Sequence, residues 1–395
     1  MGIDLHKETH TAVMLDCWNR KLGEITFDNK PSEFTKLTRK VSRFVTEEKT
    51  AVYGLENAYG YGRTLAVWLI EKGNLVKDVN TSLSYAQRKS VPMYQKSDSY
   101  DAEAVALVLI NMLDRLPDAI PDDKYWTLSQ LVNRRDNICT HQSRLKNQLH
   151  EQLCAAYPSY KQFFNDISRA TALYFFNKYP SPEHLQGKLA EELADELRPI
   201  SHNNCSIKRA KKILDLIQSD GETKREHQET RDSITRSLVN DLEHYRVQLE
   251  EVEKAIEMML PQFRCTLMTM PGIDVITAAN MLSEIGDINR FPNANKLAKF
   301  AGIAPVNFSS AGKGKDMCPK QGNRRLQAIF YFMAIQMIQI STNGVPRNKI
   351  FREYYLKKVE SGKNKQQALI CIARRLVNIV YGMLKNHTEY REPEQ

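Results

Sequence analysis

The chain has no Cys-x-x-Cys pair. Its seven cysteines, at positions 17, 139, 154, 205, 265, 318 and 371, are odd in number and far apart, and its nine histidines are equally dispersed. This argues against a zinc site or a disulfide framework and suits reduced thiols in a cytoplasm. A metal, if one binds, is expected on oxygen ligands. Long apolar runs are also missing: the stretch Leu326–Ile340 is broken by glutamines and falls short of a membrane span. No charged-then-apolar leader with a cleavage site opens the chain, so a cytoplasmic protein without a membrane segment is expected. Gly60-Tyr61-Gly62 lacks the third glycine of a dinucleotide fingerprint, and no Ser or Thr follows a Gly-Lys at Walker A spacing.

What is present is ordinary in bulk and informative in detail. The 395 residues suffice for two or three domains, and 42% hydrophobic with 26% charged residues suits real cores. Fifty-six Lys and Arg against 47 Asp and Glu leave a net charge of +9, which suits a partner bearing phosphates.

The first 122 residues carry an α/β pattern with a mixed sheet. Gly2-Ile3-Asp4-Leu5 is a short apolar run with an acid in it, and Thr11–Trp18 and Leu22–Phe27 alternate around an Asn-Arg-Lys turn. The helix reading for Pro31–Thr46 rests on its apolar spacing and on Pro-Ser-Glu at its start. A strand over Thr50–Leu55 ends on Glu56, a helix over Tyr61–Lys72 is closed by Gly73, and Leu75–Val79 reads as a strand. Asp98 and Asp101 then open a further helix. Three residues apart, they share one helical face, about 5–6 Å apart at Cβ. Alone, the pair reads as a helix start, with Asp98 the cap. With Asp4 in a strand and Glu56 at a strand end, however, four acids converge from three elements. Acids in apolar strands are expensive to bury unless paired or bound to metal, so a hard-cation site is expected, with Mg²⁺ its natural occupant.

The middle, residues 123–262, reads as α-helical coiled coil. Leu131, Ile138 and Leu145 repeat at seven, continued by Leu149 and Leu153. Leu238, Leu242, Tyr245, Leu249, Val252, Ile256 and Met259 alternate steps of four and three. Pro158, Pro180 and Pro182 and the polar run 199–230 break the helices between. Both an intramolecular antiparallel hairpin and a dimer interface or nucleic-acid arm fit the seam.

Residues 263–386 read as a mostly helical domain, with a polar tail at 387–395. Met270-Pro271-Gly272-Ile273, between apolar helical stretches, resembles a helix-hairpin-helix, whose amides around Gly272 would grip phosphate. Lys313, Lys315, Lys320, Arg324 and Arg325 surround Ser309-Ser310 in sequence. They read as phosphate contacts or as a solvated loop. The segment Arg347–Lys365, with Phe351, Tyr354 and Tyr355, adds to the nucleic-acid case.

Three stretches carry a resemblance. Gly2-Ile3-Asp4-Leu5-His6-Lys7, Glu56-Asn57-Ala58-Tyr59-Gly60-Tyr61-Gly62 and Lys96-Ser97-Asp98-x-x-Asp101-Ala102 resemble the motifs of the DEDD transposases. These are the Piv/MooV-like insertion-sequence recombinases and DNA invertases. Thr269-Met270-Pro271-Gly272-Ile273, Leu297-Ala298-Lys299-Phe300-Ala301-Gly302-Ile303-Ala304-Pro305 and Gly322-Asn323-Arg324-Arg325-Leu326 resemble the C-terminal transposase domain of the same family. More apolar residues usually precede the first Asp there, which implies a shortened first strand here. The resemblance implies an RNase H-like (RuvC-like) N-terminal domain whose Asp4, Glu56, Asp98 and Asp101 hold Mg²⁺. A serine about five residues beyond an Ala-Pro is the family's proposed nucleophile, which points to Ser310. Because Ala311 stands before Gly312, Ser309 remains an alternative.

The reading is a transposase that cuts and rejoins DNA through a phosphoserine link. Its implied partners are double-stranded donor and target DNA, a structured non-coding guide RNA and further copies of itself, as a dimer or as a tetramer on DNA. Rival readings are a Holliday-junction-type metal-dependent nuclease and a non-catalytic nucleic-acid scaffold.

Overall fold

The computed structural model describes residues 1–46, 49–90, 97–304 and 322–392, together with the backbone of 306–310 and 313–317. Alternation in the first thirty residues gives three strands, β1 (Gly2–Leu5), β2 (Thr9–Leu15) and β3 (Lys21–Asp28), paired antiparallel. There follow α1 (Pro31–Ser42), β4 (Val52–Glu56), α2 (Arg63–Glu71), β5 (Leu75–Val79), α3 (Thr81–Lys89) and α4 (Asp98–Met112). The sheet order is β3-β2-β1-β4-β5, with β4 parallel to both β1 and β5. This mixed five-stranded sheet fits the RNase H-like expectation. β1 is only four residues long and lies at its centre.

Side chains alternate across a strand, so Ile3 and Leu55 enter the core that α1 and α2 cover, together with Phe34, Leu37, Leu65 and Leu69. Gly2, Asp4, Gly54 and Glu56 then share the opposite face, which α4 crosses. Gly2 sets how closely it crosses: a Cβ there would lie 2.2 Å from the Ala102 carbonyl oxygen and 2.2 Å from the Ala106 nitrogen. Only glycine on the strand and alanines on the helix permit that approach. Gly62, at the start of α2, is confined in the same way by Leu5, whose Cδ1 would be 2.2 Å from an added Cβ.

Two compact units form: Met1–Thr127 with Leu282–Thr388, and Leu128–Met281 with Glu389–Glu392. The second unit contains most of α5 (Asp123–Ala156), then α6 (Ala170–Lys178), α7 (Ala190–Leu197), α8 (Ile207–Asp220) and α9 (Gln228–Met259). Its core is aromatic: Tyr157, Phe163, Phe164, Phe175, Phe176 and Tyr179 pack with ring centroids between 5.2 and 6.2 Å apart. Away from that core, α5 and α9 run antiparallel. Arg134 donates to Gln248 at 2.7 Å, Arg135 to Glu253 at 2.8 Å, and His141 stacks on Tyr245. Along this stretch Leu131, Leu145, Leu249 and Val252 are half-buried, whereas Ile138 and Ile256 are buried.

The Pro-Gly-Ile turn holds Gly272 at φ 91° and leads into α10 (Val275–Ile285), but a 3-10 turn, Leu267–Thr269, stands before it in place of an α-helix. Pro261 and the left-handed Arg264 end the helical run upstream of it. α11 (Ala294–Phe300) follows. The hairpin of β6 (Val306–Ser310) and β7 (Lys313–Met317) then leads to α12 (Arg324–Ile338), α13 (Lys349–Glu360) and α14 (Lys365–Asn386). α14 is long and apolar enough to cross a membrane by length and composition alone. Nine of its residues, from Ala368 to Leu384, are buried along one stripe against the unit's own helices.

Candidate active site

Asp4 is the last residue but one of β1 and Glu56 the last of the adjacent parallel β4, and the register pairs Gly2 with Gly54 two residues earlier on each. Their carboxylates therefore emerge side by side at the strands' C-terminal edge. The first turn of α4 lies over that edge. Ser97, not Asp98, is its cap: the Ser97 hydroxyl accepts from the Tyr100 N–H at 3.2 Å, and Asp98 is the first helical residue. A serine places its oxygen on the open amide as well as an aspartate does, which leaves both acids free to face the strands. Ser99 fixes the turn to β3 by donating to Glu24 at 2.5 Å.

All four acids meet. Burial pushes the Asp4 carboxyl up from its ordinary range; His6 opposes this, while the charges of Asp101, Asp98 and Glu56 push the same way as burial. Asp4, Glu56 and Asp101 are mostly buried, their side chains 14, 15 and 14% exposed, whereas Asp98 opens to solvent at 59%.

Two further residues enter that sequence reading did not assign. His6 Nε2 lies 3.0 Å from Asp4 Oδ2 and 3.5 Å from Asp98 Oδ1. It stands two residues beyond Asp4 on the same side of the extended chain, a spacing that was legible. Arg88, near the end of α3, reaches in between Glu56, at 3.4 Å, and Asp101, at 3.5 Å. Its backbone is held by the Tyr100 hydroxyl, which donates to the Arg88 carbonyl at 3.0 Å. No pattern in the sequence marked it.

The donor set fits a hard cation. Ligand atoms of Asp4, His6 and Asp98 lie within 4.8 Å of one another. Asp101 Oδ1 is buried without a hydrogen bond that meets good geometry, and the Arg88 Nε faces it as an ion pair at 3.5 Å. Oxygens in this number, with one imidazole at the rim, suit a divalent ion.

The loop after Glu56 is tied to the C-terminal helices of the same unit. Asp78 Oδ1 accepts from the Ala58 N–H at 3.2 Å, and burial pushes the Asp78 carboxyl up. Arg290 comes in against both: its guanidinium donates to the Tyr59 hydroxyl, its charge opposes that of Asp78, and it stacks on Phe291 and Phe300 at 4.8 and 4.7 Å. Its Nε is buried without a partner.

The remaining candidates are distributed. Ser309 and Ser310 lie on β6, with Ser310 opposite Lys313 in the hairpin register, and Lys315 is on β7. Lys320 and Lys96 lie outside the described residues. Arg325 donates to Glu284 at 3.0 Å, so its charge already faces a carboxylate, while Arg324 lines a groove between α12 and α14. Of the three aromatics in 347–365, Phe351 and Tyr355 are core residues, 1 and 8% exposed.

Residues 1–158 match the IS110-type DEDD transposase family, and residues 265–356 match the family described as Transposase IS116/IS110/IS902. The chain is 26% identical to the uncharacterized 44.8 kDa protein of insertion element IS116 from Streptomyces clavuligerus, over 98% of this chain and 94% of that one. It is 22% identical to the pilin gene-inverting protein of Moraxella lacunata, over 99% and 97%. A transposase of insertion sequence IS1111A from Coxiella burnetii is 24% identical over 37% of this chain and 38% of its own. With the family's N-terminal and C-terminal domain models matched in order, the chain belongs to the IS110/IS116 family of transposases.

Proposed function

We propose that this transposase cuts and rejoins DNA with the acids of its RNase H-like domain and a serine of its C-terminal domain. The observation that carries the reading is the meeting of Asp4, Glu56, Asp98 and Asp101 at one edge of the sheet. Asp4, Glu56, Asp98 and Asp101 would hold Mg²⁺, with His6 orienting Asp4 and Asp98. When bound there, the ion supplies Lewis-acid polarisation of a phosphodiester and favours an alkoxide nucleophile.

The serine's part is covalent. The Ser310 oxygen bonds to phosphorus as the strand's own phosphorus–oxygen bond breaks, and the departing sugar oxygen keeps that electron pair and takes up a proton. The phosphoserine link conserves the energy of the broken bond for rejoining. Ser309 is the alternative nucleophile. Lys313, Lys315, Lys320 and Arg324 neutralise phosphates around it, and the amides at Gly272, in a helix-hairpin-helix role, hold a further one. The half-buried stripe of α5 and α9 serves as a coiled-coil seam between copies, assembling a dimer or tetramer on DNA, and a structured non-coding RNA guides donor and target choice in the cytoplasm.

The test is Asp101→Asn. An amide cannot help offset the ion's charge, so the variant should fold and bind DNA yet lose Mg²⁺-dependent strand cleavage, by about 100-fold or more. Cleavage at the wild-type rate would remove Asp101 from the site.

A further inference from the structure

The ladder between β1 and β4 stops short of the acids. Its register pairs Gly2 with Gly54 and Ile3 with Leu55, so Asp4 and Glu56 lie one residue beyond the last pair. Past that point the chain turns away from both strands. Residues 6–9 make a tight turn, closed by the His6 N–H on the Thr9 carbonyl at 3.1 Å. In the loop 57–62, the Gly60 N–H donates to the carbonyl of the left-handed Asn57, also at 3.1 Å. His6, which touches Asp4 and Asp98, stands on the turn, and Glu56 runs directly into the loop. The β1–β4 ladder therefore does not set how far apart the turn and the loop stand.

Asn29 spans the two. It follows β3, and its backbone N–H donates to the Glu8 carbonyl at 2.8 Å, which carries the β2–β3 pairing into the turn. Its side-chain nitrogen donates to the Lys7 carbonyl at 3.3 Å and to the Tyr61 carbonyl at 3.3 Å. A primary amide has two N–H donors and a carbonyl only accepts, so this one group serves both segments. Each bond is long and Asn29 is half-buried, so each is modest alone.

The amide is backed by the core. His10 is buried beside it, with the rings of Phe27 and Phe34 centred 5.6 and 6.4 Å from its own. Burial pushes the His10 imidazole below its ordinary value, and the Asn29 side chain opposes that shift. Asn29 thus rests on a neutral ring packed among aromatics, with its nitrogen towards the turn and the loop.

We propose that Asn29 is a positioning residue of the acid site: its amide ties the His6 turn to the loop after Glu56 and so sets the separation of those two walls. Asn29 acts through the two segments and not on a cation itself. The inference rests on the reading of the acids as a Mg²⁺-dependent cleavage site and deepens it.

The experiment compares the full chain as wild type, Asn29→Ala and Asn29→Asp. Hydrogen–deuterium exchange is followed by mass spectrometry, and Mg²⁺ affinity is measured by calorimetry. Asn29→Asp keeps the shape but turns an acceptor towards two carbonyl oxygens, so it should fail as Asn29→Ala does, whereas a residue that only fills space would tolerate it. Peptides covering 5–9 and 57–62 should exchange faster by about tenfold in both variants, because two hydrogen bonds no longer oppose local opening. Mg²⁺ affinity should weaken by about tenfold in Asn29→Ala, which adds no charge, as when a group that orients metal ligands is lost. Affinity for a DNA duplex without Mg²⁺, which rests on phosphate contacts, should stay within about twofold.

Unchanged exchange in either segment, faster exchange spread over the whole unit, wild-type behaviour of Asn29→Asp, or unchanged Mg²⁺ affinity would each overturn the assignment. If wild type takes Mg²⁺ and cuts DNA while the variants match it in exchange and affinity, the assignment fails and the cleavage reading stands. If wild type takes Mg²⁺ but cuts no DNA, and the variants follow as described, the cleavage reading fails and the assignment stands. A wild type that takes up no Mg²⁺ would overturn both.

Discussion

Replacing Arg290 by methionine tests how the C-terminal helices brace the acid site. Methionine keeps much of the apolar stem but removes the charge that Asp78 faces, the hydrogen bond to Tyr59 and the stacking on Phe291 and Phe300. Breaking a fully buried pair from one side costs about 3–5 kcal/mol, and an isolated cation–π contact about 0.5–1 kcal/mol. Both Arg290 and Asp78 are half-buried, so the expected total is about 2 kcal/mol, or a Tm lower by roughly 4–8 °C in a unit of this size. The pH dependence identifies the cause. Burial already raises the folded Asp78 pKa, and loss of Arg290 raises it further. An acid with a raised folded pKa costs stability above that pKa and costs nothing once pH falls below its unfolded value. The gap between wild type and Arg290→Met should thus be full at pH 7 and narrow towards pH 4 in scanning calorimetry. In a double-mutant cycle with Asp78→Asn the losses should fall short of additive by about 1 kcal/mol. A gap independent of pH, with additive losses, would show that the arginine acts only through its aromatic neighbours. Because Asp78 holds the Ala58 N–H two residues beyond Glu56, strand cleavage should fall with stability.

Two other substitutions probe the acid cluster itself. Gly2→Ala forces the backbone of α4 away from β1; overpacking costs typically up to about 3 kcal/mol, and the displaced Asp98 and Asp101 should cost cleavage more than DNA binding, while unchanged cleavage would deny that the strand–helix approach sets the site. Arg88→Gln removes the cation between Glu56 and Asp101, so Mg²⁺ affinity by calorimetry should tighten, by about fivefold for roughly 1 kcal/mol of lost competition, and a weaker affinity would make Arg88 a supporting residue of the site.

The sheet was legible because its signals were local. Alternation, the Pro31 helix start and the Gly73 stop placed the five strands and α1, α2 and α4 within a few positions, whereas α3 was not read from the sequence. The four acids were legible because acids in apolar strands need a reason. Arg88 was not, since a basic residue in the last turn of α3 has a sufficient explanation in the helix dipole. The bracing by Arg290 depends on residues more than two hundred positions apart, which no local pattern encodes. The middle region misled in emphasis. Its heptads exist, but the aromatic cluster from Tyr157 to Tyr179, which periodicity did not single out, forms the core, and much of the heptad stripe stays half-buried. The same holds for the aromatics of 347–365, two of which pack inward while Tyr354 alone joins the groove.

The most direct measurement is mass spectrometry of protein trapped on a DNA substrate in Mg²⁺, with wild type, Ser310→Ala and Asp4→Asn alone, and with the two variants mixed. A phosphoserine-linked nucleotide on the Ser310 peptide of wild type, absent from either variant alone, is expected, and the mixture should recover it if one subunit's acids serve another's serine. A covalent adduct that persists in Ser310→Ala, or wild-type cleavage that leaves no adduct at any serine, would contradict a serine acting with these four acids.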